Sequence, residues 1–253
     1  MPPPGMPSVV QRSRADAPRW SDRDAAGQAL AEQLRRRPEL SPASLLLALP
    51  RGGVPVAAAM ARRLALPLAT WSARKLADPA QPEFAIGAIA PGGVVLWDVP
   101  PGGPWPSLEQ RQRILRRQGE ELARRQRLFG DPDPAALRHR HLILVDDGIA
   151  TGLTARAALQ SLRQLHPASL CLAVPVLDQR VFDQLRSLVD QLEALAVVEG
   201  LRSVGEYYGH FEQLDDQDVL ALLGRPGPAT TPEGSAGNEG AAGNHSSAGS
   251  FAG

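Results

Sequence analysis

The chain has 253 residues, 27 basic against 27 acidic side chains and no net formal charge, and Lys75 is the single lysine among the basic residues. That balance argues against a protein that coats nucleic acid, which needs a basic excess. One cysteine excludes an intramolecular disulfide and any multi-cysteine zinc or iron–sulfur site, and 43% hydrophobic residues with only 4% aromatic ones point to a core of Leu, Ala and Val.

Residues 1–19 are Pro-rich without periodicity, and residues 224–253 are almost entirely Gly, Ala, Ser, Pro, Asn and Thr. Neither segment carries enough apolar surface to offset its ordering entropy, so both are expected to be disordered around a folded domain at 20–223. The start, Met-Pro-Pro-Pro-Gly, has no charged region followed by an apolar run, and no apolar run approaches the ~20 residues that cross a bilayer. The expectation is a soluble cytoplasmic protein with no membrane and no nucleic-acid partner.

Within 20–223 the pattern alternates. Ser21 suits the cap of a helix from about Asp22 to Arg37, with Ala26, Leu30 and Leu34 on one face. Leu45 to Leu49 is a short apolar run that ends in Pro50-Arg51-Gly52-Gly53, and a helix follows over about Pro55 to Leu64. Leu68 to Ala73 reads as a second strand, with Arg74-Lys75 at its end. Ile86 to Ala90 and Val94 to Trp97 flank Pro91-Gly92-Gly93 as a hairpin. Ser107 to Leu128 is a long helix with seven arginines between Arg111 and Arg127. Leu142 to Val145 is a third buried strand, followed by a helix from Thr154 to Leu165. Ser169 to Val176 and Ala194 to Val198 are further strands, with a helix near Phe182 to Leu188 between them. Asp215 and Asp218 are spaced as a capping pair for a last helix to Leu223.

Continuous apolar strands that alternate with helices mean a parallel sheet covered on both faces. In such sheets the chemistry sits in the turns beyond the carboxyl ends of the strands. The turn after Val145 reads Asp146-Asp147-Gly148-Ile149-Ala150-Thr151-Gly152-Leu153-Thr154. Two adjacent carboxylates at a buried strand end are costly unless something pairs with them, and a ligand diol or a hydrated Mg²⁺ would do so. Gly148 and Gly152 let the backbone bend and leave amides uncovered, Thr151 and Thr154 add hydroxyls, and the helix start points its free N–H groups at the turn. No Gly-Lys-Ser/Thr Walker loop and no Gly-x-Gly-x-x-Gly dinucleotide turn is present. Arg51-Gly52-Gly53 is a second turn of the same kind. Two anion cradles at neighbouring strand ends suit a ligand with two separated phosphate groups.

The run from Asp146 to Thr154 after an apolar strand resembles the phosphoribosyl-pyrophosphate (PRPP) signature of the type I phosphoribosyltransferases. The rest of the chain is similar to a bacterial subgroup described only as predicted phosphoribosyltransferases. The shared stretches are Asp22-Arg23, Leu49 through Ala57, Arg74-Lys75, Pro82-Glu83 with Ala85 to Ala88, Ala173 to Val176, and Val204-Gly205 through Tyr208 to Phe211. The resemblance implies an α/β fold, a parallel sheet flanked by helices, with a small hood and a helical and hairpin insertion before the strand that carries the PRPP motif. It implies transfer of a 5-phosphoribosyl group from Mg-PRPP to a nitrogen acceptor, a nucleobase, with release of pyrophosphate, and it suggests a homodimer. The alternative is a regulator that binds PRPP or nucleotides without turnover.

By that resemblance Asp146 and Asp147 hold the ribose hydroxyls or the water shell of Mg²⁺. Gly148, Ile149, Ala150, Thr151, Gly152, Leu153 and Thr154 cradle the 5′-phosphate. Arg51, Gly52, Gly53, Arg74 and Lys75 meet the pyrophosphate, with Arg51 and Lys75 counted among the catalytic residues. Arg124 or Arg125 of the arginine-rich helix is a candidate to close over the pyrophosphate. Ala150 stands where hypoxanthine–guanine enzymes of the superfamily carry an Asp that acts on the purine, so the resemblance names no acceptor. Tyr207, Tyr208 and Phe211 fall where the family places part of its base-binding hood, with core packing expected for at least two of them. Cys171 reads as an inert core thiol, and His139 and His141 as loop residues. Glu83 has no role derivable from its surroundings.

Overall fold

A computed structural model describes residues 11–12, 17–37, 40–78, 81, 84–98 and 105–225. The expectations for Pro82, Glu83 and most of the two chain ends lie outside these residues.

The centre is a six-stranded, wholly parallel sheet. Its strands are β1 (Gln11–Arg12), β2 (Leu45–Ala48), β3 (Leu68–Thr70), β7 (His141–Val145), β8 (Ser169–Asp178) and β9 (Gln191–Val198), in the order β1-β9-β8-β7-β2-β3. Period-two alternation decides which side chain faces which layer. Leu45 and Leu47 of β2 and Leu142 and Leu144 of β7 face α4 (Leu153–Arg163) and α5 (Gln179–Arg186). Leu46, Ala48, Ile143 and Val145 face α1 (Arg23–Arg35), α2 (Gly53–Leu64) and α6 (Asp216–Leu222) on the other side. Leu46, Leu47, Leu142 and Leu144 are fully buried. Each contributes about 1.5–3 kcal/mol relative to an exposed position, which holds the strand ends at fixed positions.

A second, antiparallel sheet sits above this one. It comprises β4 (Arg74–Ala77), β5 (Ala85–Ala90) and β6 (Val94–Trp97) in that order. The hairpin expected around Gly92-Gly93 forms, and both glycines have positive φ, 75° and 76°. One face of this hood carries Ala88, Ala90 and Val94 into the core shared with α4. The other carries Leu76, Ile86 and Ile89 onto Leu122, Ile114 and Leu115 of the arginine-rich helix α3 (Leu108–Phe129). Ser107 and Gln110 close a capping box at the start of α3, and Gly130 ends it at φ 64°. Asp215 and Asp218 form the capping pair expected for α6.

Two expectations are corrected here. Leu68 to Ala73 is not one strand with Arg74-Lys75 at its end. The chain leaves the parallel sheet after Thr70, and Arg74 and Lys75 open the first strand of the hood. Asp131, just past α3, holds the break. Its carboxylate accepts from Thr70 Oγ1 at 2.7 Å, from the Ser72 amide at 2.6 Å and from Ser72 Oγ at 3.1 Å. The second correction is at the N-terminus. Gln11 and Arg12 fall in the segment expected to be disordered, yet they pair with Val197 and Val198 of β9, and Ala17 is buried.

Candidate active site

Two neighbouring strands, β2 and β7, are paired in register with Ala48 opposite Val145, and both end at the same edge of the sheet. After β7 the chain runs through Asp146 and Asp147 into a turn. Ile149 continues the ladder for one residue, its amide donating to the Val176 carbonyl and its carbonyl accepting from the Asp178 amide, both at 2.9 Å. Gly148 is packed so closely that a Cβ would come within 2.8 Å of Val176 Cγ1 and closer still to Val204. Gly152 has φ 73°, a conformation that favours glycine, and α4 begins at the next residue. The first-turn amides of α4 have no partner within the helix and open onto this turn, with Thr151 exposed beside them.

After β2 the chain turns through Pro50, Arg51 and Gly52 into α2, with a cis peptide between Pro50 and Arg51. This turn lies directly against the first. A Cβ on Gly52 would overlap the Asp147 carboxylate, and one on Gly53 would come within 2.5 Å of the Val145 carbonyl oxygen. The two glycines are therefore required by close approach of one turn to the other. The sequence signal was the Gly-Gly pair itself.

Both carboxylates are short of positive charge. Burial, then the neighbouring Asp147, pushes the Asp146 carboxyl well above the usual range. Burial also raises Asp147, against the pull of Arg23. Arg23, at the start of α1, donates from Nε to Asp147 Oδ2 at 2.9 Å and from Nη1 to the Glu212 carbonyl at 3.0 Å. Its guanidinium lies over the Phe211 ring, 3.7 Å from the centroid. Phe211 stacks on Tyr208 at 5.0 Å, and Tyr208 packs against Trp20 at 5.7 Å. The Tyr208 hydroxyl donates to the Asp147 backbone carbonyl at 2.5 Å. Both ends of the folded domain thus converge on Asp147. Sequence reading singled out the Asp22-Arg23 stretch without a role for it. Tyr207 and Tyr208 are buried and Phe211 is 36% exposed, in line with core packing for two of the three.

The basic residues divide. Arg51 faces Asp216 at the start of α6, with Nη1 3.8 Å from Oδ1. Arg124 of α3 reaches the other oxygen of Asp216 at 2.9 Å and also binds Glu121. Arg125 is buried and pairs with Glu121 at 2.9 Å. Of the two arginines expected to close over this edge, Arg124 reaches it through Asp216, and Arg125 turns to Glu121. Arg74 and Lys75, adjacent in β4, point to opposite faces of the hood. Lys75 pairs in register with Ala88, on the face toward α4, and is exposed. Arg74 pairs with Ile89, on the face toward α3, where its Nε donates to Gln118 Oε1 at 3.2 Å. The two cations do not converge, which corrects their placement at one strand end.

Cys171 is buried, and burial raises its thiol far above the ordinary value, as expected for an inert core residue. His141 bonds Ser169 Oγ at 2.8 Å, and no cluster of three or more His, Cys, Asp or Glu is placed to hold a metal among the described residues. No helix among the described residues is long and apolar enough to cross a membrane.

Comparison with known proteins agrees with this architecture. The family described as phosphoribosyl transferase domain matches residues 24–184. Two Mycobacterium tuberculosis proteins, from strains H37Rv and CDC 1551, are 39% identical over 209 residues, or 81% of this chain, and their names provisionally assign them as phosphoribosyl transferases. The chain spans 46% of the length of each. The crystal structure of TT1426 from Thermus thermophilus is similar with a TM-score of 0.63 and 37% identity, covering 81% of this chain and 97% of that one. With the family match covering well over half of the residues, the chain belongs to the phosphoribosyl transferase family.

Proposed function

We propose that the protein binds PRPP with Mg²⁺ and transfers the 5-phosphoribosyl group to a nitrogen acceptor, a nucleobase, releasing pyrophosphate. The observation that carries this reading is the contact between the two glycine turns. Gly52 lies against the carboxylate of Asp147, so a sugar held at Asp146–Asp147 has one anion cradle on each side.

In this reading the amides from Gly148 to Thr154 and the Thr151 and Thr154 hydroxyls hold the 5′-phosphate. Asp146 and Asp147 accept from the ribose hydroxyls. Arg51, with the Gly52 and Gly53 amides, meets the pyrophosphate. Lys75 approaches from the hood as a compact point charge. A C1–N bond forms as the C1–O bond to pyrophosphate breaks, and the protein's part is positioning and neutralisation of charge.

A divalent cation fits the donor set. Two adjacent carboxylates, largely out of water, stand beside a single ion-paired cation, Arg23, among the described residues, and burial raises both pKa values. Asp146 and Asp147 would hold Mg²⁺ through its waters or through the ribose oxygens, where it would supply charge neutralisation for the pyrophosphate. Ala150 offers no proton-transfer group, so the acceptor must bring its own nucleophilic nitrogen or be deprotonated elsewhere.

The test incubates the full chain with Mg²⁺, PRPP and a panel of nucleobases, and follows pyrophosphate release. Release that requires one base supports the transferase and names the acceptor. Tight PRPP binding with no release under any base contradicts transfer and favours a PRPP-binding regulator.

A further inference from the structure

Asp147 is pinned at two separate points. Arg23 holds its carboxylate, and the Tyr208 hydroxyl donates to its main-chain carbonyl at 2.5 Å. The first bond pairs opposite charges, but the second joins two neutral groups 61 residues apart in the chain. Tyr208 is fixed before it makes this bond. Trp20 lies against its ring at 5.7 Å, and Phe211 stacks on it at 5.0 Å. The backbone there is also paired: the Trp20 amide donates to the Tyr207 carbonyl at 2.9 Å, and the Gly209 amide to the Trp20 carbonyl at 2.8 Å. A phenol packed in this way loses little further freedom when its hydroxyl donates.

The bonded carbonyl belongs to the peptide between Asp147 and Gly148. That peptide is trans, since among the described residues the cis bond is Pro50–Arg51. In a planar trans peptide the C=O and the N–H point in opposite directions. Tyr208 therefore turns the Gly148 N–H away from the aromatic cluster. Gly148 is buried, and its N–H has no hydrogen-bond partner among the described residues. A peptide that precedes glycine turns over at low cost, as between type I and type II turns, because glycine accepts positive φ. Gly148 is outside the positive-φ region here. The turned-over form would offer a carbonyl oxygen where an anion needs a donor.

We propose that Tyr208 is a positioning residue of this site: its hydroxyl latches the Asp147–Gly148 peptide in the orientation that presents the Gly148 N–H to the sugar phosphate. The proposal rests on the PRPP reading for the identity of the ligand. The latch itself belongs to the protein without ligand, so the two can be measured apart.

The test has two arms, both on the full-length protein. Asp147–Gly148 is the only Asp-Gly pair in the sequence. Protein isotope-labelled at the Asp carbonyl carbon and the Gly nitrogen thus gives a single coupled amide signal by NMR, that of Gly148. In Tyr208→Phe, without ligand, this signal is expected to shift or split, with little change in melting because the ring keeps its packing. In the second arm, calorimetry should show affinity for ribose 5-phosphate weakened about tenfold in Tyr208→Phe. Tyr208→Leu, which also loses the ring contacts, should melt well below Tyr208→Phe yet bind no more weakly. A merely structural role would instead make affinity follow melting temperature across the three proteins, and that result overturns the proposal. An unmoved Gly148 signal, or an unchanged affinity in Tyr208→Phe, overturns it as well. These two measurements decide the matter even where Tyr208→Leu does not fold. A wild type that binds neither Mg-PRPP nor ribose 5-phosphate sinks the PRPP reading, and the Gly148 signal then decides the latch by itself.

Discussion

Arg23 Nε donates to Asp147 Oδ2 at 2.9 Å across 124 residues of chain. The pair is largely out of water, with side chains 11% and 13% exposed. It joins the first turn of α1 to the end of β7, and the Phe211 ring covers the guanidinium. Breaking such a pair by removing one partner leaves an uncompensated charge, at a cost of up to about 3 kcal/mol.

Arg23→Gln is therefore expected to lower the melting temperature at pH 7, and to raise the Asp147 carboxyl further by removing the cation that opposes its burial. Arg23→Lys restores charge without the forked geometry and recovers part of the loss. Thermal melting of the three proteins checks this. Equal melting temperatures for the wild type and Arg23→Gln would show that the pair contributes nothing.

Gly52 has φ −61°, so alanine is conformationally acceptable there. The obstacle is steric, since its Cβ would overlap the Asp147 carboxylate. Gly52→Ala is expected to cost about 1–3 kcal/mol of stability and to displace Asp147. Its affinity for Mg-PRPP should fall at least about tenfold. Gly119, inside α3, has nothing within 4 Å of where a Cβ would sit, so Gly119→Ala should leave the Mg-PRPP affinity unchanged and raise stability by roughly 0.5–1 kcal/mol through helix propensity. Calorimetric titration with Mg-PRPP and melting curves distinguish the two glycines.

Glu121 offers a pH test. The hydrogen bond from Arg124, then that from Arg125, holds its carboxyl down to about 2 against the opposing effect of burial. A carboxyl that is lower in the folded than in the unfolded state binds fewer protons when folded. Its contribution to stability is present above the unfolded value and lost as pH falls toward 2. Glu121→Gln should melt below the wild type at pH 7, and the two curves should converge between about pH 4.5 and pH 2. A gap that stays constant over that window would contradict the assignment.

Much of this site was legible because its determinants are local. An apolar strand, two carboxylates, two glycines and a helix start lie within fourteen residues from Leu142 to Ala155, and the Arg51 turn repeats the pattern. The break at Trp71 was not legible. Leu68 to Ala73 is apolar enough to be one strand, and what ends it is Asp131, about sixty residues away. The same break puts Arg74 and Lys75 in a strand of the hood, where alternation turns them to opposite faces. Strand β1 escaped notice because two residues paired through their backbones carry no side-chain pattern. Arg23 stood in a stretch marked by resemblance, but its partner is set by how α1 packs on the sheet, which no local spacing encodes.

The central claim is that Asp146 and Asp147, between two anion cradles, hold the ribose of PRPP. The most direct measurement is calorimetric titration of Mg-PRPP into the full-length wild type and into Asp147→Asn, which keeps the side chain's shape and removes its charge. The account predicts saturable binding by the wild type that weakens at least about tenfold in Asp147→Asn, which still unfolds in one cooperative transition, at a lower temperature for loss of the Arg23 pair. Absence of Mg-PRPP binding by the wild type, or identical affinities for the two proteins, would contradict it.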